Sequence, residues 1–344
     1  MKINKKAIGF FLMGIIVLIY AFIMYNPFKH KQVEYVHNEG QAQGTYYSAT
    51  YQQPDGKDLK EEIEKLFADF DLSLSTYNPN SIISRINKNA DTVTTDANFE
   101  TMFKLAEEVS AKTNGAFDIT VGPLVNAWGF GYTKKDTTKL PDVKEILPYV
   151  GFHKVKLENH KVIKSDSRIV LDASAVAQGQ SADLVAELLE KEGCENYMID
   201  IGGEIACKGV NPKGKKWQIG VDKPVDDPAN ANGELQTILS LSNVGLTTSG
   251  NYRKFYYEGG KKYAHTIDPR TGYPVQHNLL SATVVAPTSM LADAYATSCM
   301  VLGVDSALSL IRSIPDTECY LIYADSVGKF QVTYTEGFKK YFAE

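Results

Sequence analysis

The stretch YMIDIGGEIACKGVNPKGKKWQIGV (197–221) decides how the chain folds: two apolar runs flank Gly202-Gly203, and a third, WQIGV, follows a polar turn. Alternating apolar residues broken by paired glycines predict strands joined by a hairpin or bulge rather than a helix. Further strand candidates lie on either side: KVKL (154–157), RIVLD (168–172), QTILSLS (236–242) and FYYEGGKKYAHTI (255–267), the last with a Gly-Gly hairpin turn. One helix, 177–191, interrupts this series. Two more are expected at about 289–302 and 305–313, followed by a final hairpin, CYLIYADSVGKFQVTY (319–334).

Upstream, LKEEIEKLFADFDLSLS (59–75) places Ile63, Leu66, Phe67 and Phe70 at helical spacing. NFETMFKLAEEVSAKTNG (98–115) does the same with Phe99, Met102, Phe103, Ala106 and Val109, and closes on Asn114-Gly115. Helices and strands are segregated rather than strictly alternating, so the expected class is α+β, an antiparallel sheet core with packed helices. No repeat of solenoid period and no low-complexity segment is found.

The 344 residues, 44% of them hydrophobic, suffice for a substantial core. A net charge of −5 with scattered Lys and Arg gives no basic footprint, which argues against nucleic acid as a partner. The first residues differ from the rest: AIGFFLMGIIVLIYAFIMY (7–25) is uncharged and long enough to cross a bilayer core. Lys2, Lys5 and Lys6 precede it, against Lys29 and Lys31 after it, so the amino terminus is expected in the cytoplasm and the body outside. The run ends without a small-x-small cleavage site, favouring an uncleaved anchor over a signal peptide. Residues 1–28 are therefore expected as anchor or signal segment, 29–43 as a tether and 44–344 as the folded domain. Cys194, Cys207, Cys299 and Cys319 show no metal-ligand spacing and read as buried thiols.

Several polar clusters could carry chemistry. In GAFDITVGP (115–123), Asp118 stands in an apolar run and needs a partner; a capping role would supply one. IVLDASAVAQGQSADL (169–184) passes from Asp172 through small residues into a helix start, whose free amides suit an anion. GLTTSGNYRKFY (245–256) reads as a turn rich in hydroxyls or, alternatively, as a phosphate contact. In HTIDPRTGYP (265–274) two prolines and Gly272 fix the backbone around His265, Asp268 and Arg270, as a pre-organised site requires. MLADAYATS (290–298) puts Asp293 and Thr297 four apart on one helical face, where they could share a hard cation or simply a hydrogen bond.

In order and content these clusters resemble the FAD:protein FMN transferase family, also called ApbE-like, over about residues 43–342. The matching features are Gly44-Thr45, YNPNSIISRIN (77–87), GAFDITVGP, the block at 172–179, the Gly-Gly pair, Thr-Ser-Gly-x-Tyr-Arg (248–253), His-x-Ile-Asp-Pro-x-Thr-Gly (265–272) and Ala-Asp-Ala-x-x-Thr (292–297). Gln43 stands where many members have methionine, Ala173 replaces a usual leucine, and Gln178 replaces lysine or glutamate.

The resemblance implies a T-fold-like α+β domain and a Mg²⁺-dependent transferase. It would cut the pyrophosphate of FAD, release AMP and link FMN through a phosphoester to a Thr or Ser of an exported acceptor flavoprotein subunit. An FAD pyrophosphatase without a protein acceptor would keep the same residues. By resemblance Asp293, Thr297 and the carbonyl of Ala175 ligate Mg²⁺. Tyr77, Ala116, Phe117, Asp118, Asp172, Gln178, Ser249, Arg253 and Thr266 contact the cofactor. His265 either sits beside the pyrophosphate or accepts the acceptor hydroxyl's proton.

Overall fold

The computed structural model describes residues 34–132, 140–224, 234–251 and 255–343. The anchor segment expected at 7–25 and Arg253 lie outside these residues. Among the described residues, no helix is long and apolar enough to cross a membrane.

Eight antiparallel strands form the central sheet. Its first pair is β1 (Val36–Ala42) and β2 (Thr45–Tyr51), which turn at Gln43 and Gly44, both with φ positive at 52° and 76°. That turn geometry matches the twist of a tight hairpin. The expected tether at 29–43 is thus corrected: from Val36 onward it is an edge strand in register with β2, Val36 opposite Tyr51 and Ala42 opposite Thr45. Its alternation, with Asn38 and Ala42 buried and their neighbours more exposed, is muted by polar residues, which hid it.

Three helices follow: α1 (Lys60–Leu74), α2 (Ile82–Asn87) and α3 (Ala97–Lys112). In α1 the buried stripe is Ile63, Phe67, Phe70 and Leu74, one residue per turn. In α3 it is Phe99, Met102, Phe103, Ala106 and Val109, and Asp96 caps the start by accepting the Phe99 amide at 2.8 Å. The short α4 (Gly122–Trp128) and α5 (Val143–Ile146) come next, then the small hairpin β3 (Val155–Glu158) and β4 (Lys161–Lys164).

Residues 168–172, expected as a strand, form none. The backbone of Leu171 bonds instead to the Asn87 side chain, donating to Oδ1 at 2.7 Å and accepting from Nδ2 at 2.8 Å. One asparagine amide satisfies what a neighbouring strand would have supplied.

Helix α6 (Ala177–Lys191) leads to the hairpin β5 (Tyr197–Ile201) and β6 (Glu204–Lys208), turning at Gly202 and Gly203. The pair β7 (Trp217–Asp222) and β8 (Leu235–Leu241) stands apart from the main sheet. Residues 244–250, expected as a turn, are instead β9 (Val244–Gly250), a central strand between β6 and β12. After the separate hairpin β10 (Phe255–Glu258) and β11 (Lys261–Ala264), β12 (Leu279–Ala286) enters the sheet. Helices α7 (Ser289–Leu302) and α8 (Val304–Arg312) then precede β13 (Glu318–Ala324) and β14 (Phe330–Tyr334). The sheet order is β1-β2-β5-β6-β9-β12-β13-β14.

One sheet face carries helices: Val284 and Ala282 pack with Ala292, Tyr295 and Ala296 of α7, and Ile199 and Ile201 with Val185 and Leu189 of α6. The other face is covered by β7, β8 and the turn at 336–341, where Trp217, Leu239 and Phe338 meet Leu246, Val285 and Ile322. The four cysteines are buried and free, as their spacing suggests.

Helix α7 lies unusually close to β9. A β-carbon on Gly245 would sit 2.1 Å from the Ser289 amide nitrogen, a backbone atom that cannot rotate away. Gly245→Ala is therefore expected to cost about 1–3 kcal/mol through forced displacement. A urea midpoint equal to that of wild type would show that the helix is not so tightly seated.

Candidate active site

Asp293 projects from α7 and is only 4% exposed. Its Oδ2 accepts the Gly179 amide of α6 at 3.3 Å. That amide belongs to the first turn of α6, where backbone donors are unpaired and the helix dipole favours a negative charge. The two helices can approach there because position 179 lacks a side chain: a β-carbon would meet the Ser289 carbonyl oxygen at 2.5 Å.

Burial pushes the Asp293 carboxyl well above the ordinary carboxylate range; nearby Asp183 raises it further, and the Gly179 bond opposes the shift. Without a cation the buried acid is driven toward its neutral form, whereas a cation beside it would stabilise the carboxylate. Among the described residues no group of three or more His, Cys, Asp or Glu could hold a metal. A cation at Asp293 would therefore have to draw on one carboxylate with hydroxyl and carbonyl oxygens, a set that would suit a hard divalent ion rather than a soft one. Thr297, half-buried, lies one helical turn beyond Asp293.

Asp183 is a functional neighbour that the sequence reading missed. Its Oδ1 and Oδ2 accept the Ser289 and Met290 amides, each at 2.8 Å, so α6 caps the start of α7. Burial raises its carboxyl, and these two amides counter the shift. The available signal is a lone acid among Ala182, Val185 and Ala186 on the buried side of α6.

The HTIDPRTGYP segment is a closed loop. Ile267 bridges Pro274, Asp268 N donates to the Tyr273 carbonyl at 3.0 Å, and Gly272 N donates to the Asp268 carbonyl at 2.7 Å. Inside it Arg270 grips Asp268, with Nε to Oδ1 and Nη2 to Oδ2 both at 2.8 Å. That bidentate pair spends both groups on the loop itself. Gly272 has φ of 78° and meets Val143 so closely that only glycine fits, while its carbonyl accepts Trp128 Nε1–H at 2.9 Å.

Within this frame the Thr266 hydroxyl donates to Asn251 Oδ1 at 2.6 Å. His265 is half-buried, its ring edge-on to Phe130 with centroids 6.3 Å apart. The Arg270 side chain passes 3.7 Å from where a β-carbon on Gly115 would be, which brings the 115–118 block beside this loop.

Within that block Ala116 and Phe117 are buried. Asp118 is committed to protein donors: Thr120 N at 2.8 Å, Thr120 Oγ1 at 2.7 Å and Phe152 N at 2.6 Å. Burial raises its carboxyl against these three bonds. Its observed role is the capping one, pinning residues 119–121 to 152.

Asp172 is half-buried and accepts the Ser174 amide and hydroxyl at 2.9 and 2.6 Å, closing the turn that presents Ala175 just ahead of α6. The Gln178 amide lies against the β5–β6 turn, with Nε2 3.3 Å from a β-carbon built on Gly202, whose nearest neighbour is Thr45. Gly44-Thr45, the paired glycines and the start of α6 are thereby gathered at one end of the sheet. Ser249 is on β9, opposite Ala282. Tyr77 is 76% exposed, with its ring edge-on to Tyr132 at 6.3 Å. Two sub-clusters thus emerge, one around Asp293, Gly179 and Gln178, the other around His265, Thr266 and the 115–118 block.

Comparison with known proteins identifies the family and the fold. The family model described as ApbE family matches residues 43–321. A Haemophilus influenzae protein named FAD:protein FMN transferase is 38% identical over 326 residues, covering 90% of this chain and 92% of its own. The solved structure of the flavin transferase ApbE from Vibrio cholerae superposes with a TM-score of 0.81 at 32% identity, covering 90% of this chain and 99% of that one. The apo crystal structure of the flavinyl transferase ApbE from Pseudomonas stutzeri gives a TM-score of 0.78 at 28% identity, with coverage of 90% and 97%.

Proposed function

Because the chain belongs to the ApbE family and is an FAD:protein FMN transferase, we propose that it works with Mg²⁺ held by Asp293, Thr297 and the Ala175 carbonyl, and modifies a Thr or Ser hydroxyl of an exported protein. The observation that supports the metal assignment is the buried Asp293 carboxyl, which among the described residues has a single backbone amide at 3.3 Å and no cationic side chain beside it. When bound, Mg²⁺ neutralises charge on the pyrophosphate oxygens.

The chain's own residues do the rest. The acceptor oxygen attacks the FMN-side phosphorus, the bond to the AMP phosphate breaks, and AMP leaves with that bond's electron pair. Transfer of this kind demands alignment and charge compensation more than covalent help. The start of α6, with Gly179 and Gln178, offers backbone donors to an anionic ligand. Thr266, fixed by Asn251, and His265 line the other side. His265 either takes the acceptor's proton or binds the pyrophosphate. Asp172, Ser249, Tyr77 and the 116–118 segment are carried over as nucleotide contacts. Asp118 acts there through the backbone that it pins.

The test is to incubate the protein with FAD, MgCl₂ and an exported flavoprotein subunit, and to read flavin fluorescence on a denaturing gel alongside AMP release. Labelled acceptor and AMP in equal amounts are expected. AMP without labelled protein would mean that water is the acceptor.

We also propose that residues 7–25 hold the body on the outer side of a membrane, on the strength of their uncharged apolar run and the basic residues before it. Intact mass of membrane-extracted protein is expected to include Met1 or Lys2, and a start beyond residue 25 would refute the anchor.

A further inference from the structure

The hydroxyl of Thr247 is a buried polar group that the residues described so far leave unexplained. Thr247 is 0% exposed and its Oγ1 has no hydrogen-bond partner among the described residues. An unsatisfied buried hydroxyl is a standing cost that a purely structural position sheds by becoming valine, which also suits a strand better. Ser110, Ser281 and Ser289 also have buried hydroxyls without a partner among the described residues, so what singles out Thr247 is its place in the fold.

The topology says where that hydroxyl is. Residues 287–288 turn the chain back after β12, so α7 runs antiparallel to β12 and in the same direction as β9, which is itself antiparallel to β12. The two elements are aligned at one end, because Gly245 of β9 abuts the Ser289 backbone. Along the strand, two residues advance about 6.7 Å; along the helix, four residues advance about 6 Å. Thr247 therefore comes level with Asp293.

It also points to the correct side. Successive strand residues alternate, so Thr247 shares the face of Gly245, which meets the helix, while Leu246 belongs to the opposite cluster with Trp217 and Leu239. Its register partner Val284 packs in the same cluster as Ala292 and Ala296 of α7.

We infer that Thr247 is a positioning residue for the Asp293 carboxylate: when a divalent cation is seated, the Thr247 hydroxyl donates to that carboxylate and holds it in its ligating orientation. The inference rests on the assignment of Asp293 as a metal ligand. A hydroxyl in this role contributes to the loaded site and nothing to the empty fold, which separates it from a structural threonine.

Thr247→Val keeps the shape and removes the hydroxyl; Thr247→Ser keeps the hydroxyl and loses a methyl. Melting temperatures are measured in EDTA and in FAD with increasing MgCl₂. In EDTA, Thr247→Val is expected to melt at or above the wild-type temperature, since nothing paired has been lost. With FAD, its half-saturating MgCl₂ is expected to rise about tenfold, and Thr247→Ser to titrate within about twofold of wild type. A lower melting temperature for Thr247→Val in EDTA overturns the inference by showing a partner within the fold. A valine variant that titrates like a responsive wild type overturns the Thr247 role alone. A wild type indifferent to MgCl₂ overturns the metal assignment and this role with it.

Discussion

Asp293→Ala is expected to bring FMN transfer down to background, with a loss of at least a thousandfold at sub-millimolar MgCl₂. Asp293 is the one carboxylate assigned to the cation, and alanine leaves no charged oxygen there. Folding should survive the change. The wild-type carboxyl is already driven toward its neutral form by burial, so alanine removes a desolvated acid rather than a stabilising ion pair. Circular dichroism and a melting curve in EDTA should match wild type within a few degrees. Asp293→Asn, which retains an oxygen but not the charge, should remain at least a hundredfold impaired.

The same burial sets a sign for pH. A carboxyl held above its ordinary range binds protons in competition with the cation, so half-saturating MgCl₂ should increase as pH falls through neutrality. Full activity of Asp293→Ala at sub-millimolar MgCl₂ would place the metal elsewhere.

His265→Ala carries the second large effect. If the imidazole accepts the acceptor's proton, the transfer rate should fall about a hundredfold or more while FAD affinity changes little. If it only binds the pyrophosphate, affinity should fall in step with rate. The loop backbone around it is expected to remain unaltered, because Asp268–Arg270, Gly272–Trp128 and Thr266–Asn251 hold it without using the imidazole. FAD titration together with single-turnover transfer distinguishes the roles, and a variant normal in both removes His265 from the mechanism.

How far the sequence was legible depended on where backbone hydrogen bonds are made. Helices α1, α3 and α6 announce themselves because their buried stripes recur each turn, whereas α7 is buried on nearly every side. Hairpins with paired glycines are equally plain. Segment 168–172 reads as a strand from its apolar residues, yet its partner is the Asn87 side chain, a contact 84 positions away that no local pattern encodes. Strand β9 was hidden for the opposite reason. Thr247, Thr248, Ser249 and Gly250 look like turn residues, although threonine is β-branched and Thr248 pairs its hydroxyl with Thr283 across the sheet at 2.8 Å.

The site shows the same division. The spacing of Asp293 and Thr297 left a shared cation and a simple hydrogen bond equally open, and only the family resemblance chose the cation. That Gly179 and Asp183 of another helix meet that position depends on helix packing, which the order of residues leaves open. Asp118 stood out as an acid in an apolar run, and three protein donors account for it.

The incorporation of residues 36–42 into the sheet changes the geometry of encounter between enzyme and substrate. Fifteen residues from 29 to 43 have a contour limit of about 50 Å, whereas the seven that precede β1 have one of only about 25 Å. For a tethered body, halving that limit would cut the volume searched about eightfold. If residues 7–25 anchor the chain in a bilayer, as proposed above, this shorter link would hold catalysis closer to the lipid surface, and acceptors with a flavin-receiving hydroxyl near the membrane would meet a correspondingly higher local enzyme concentration.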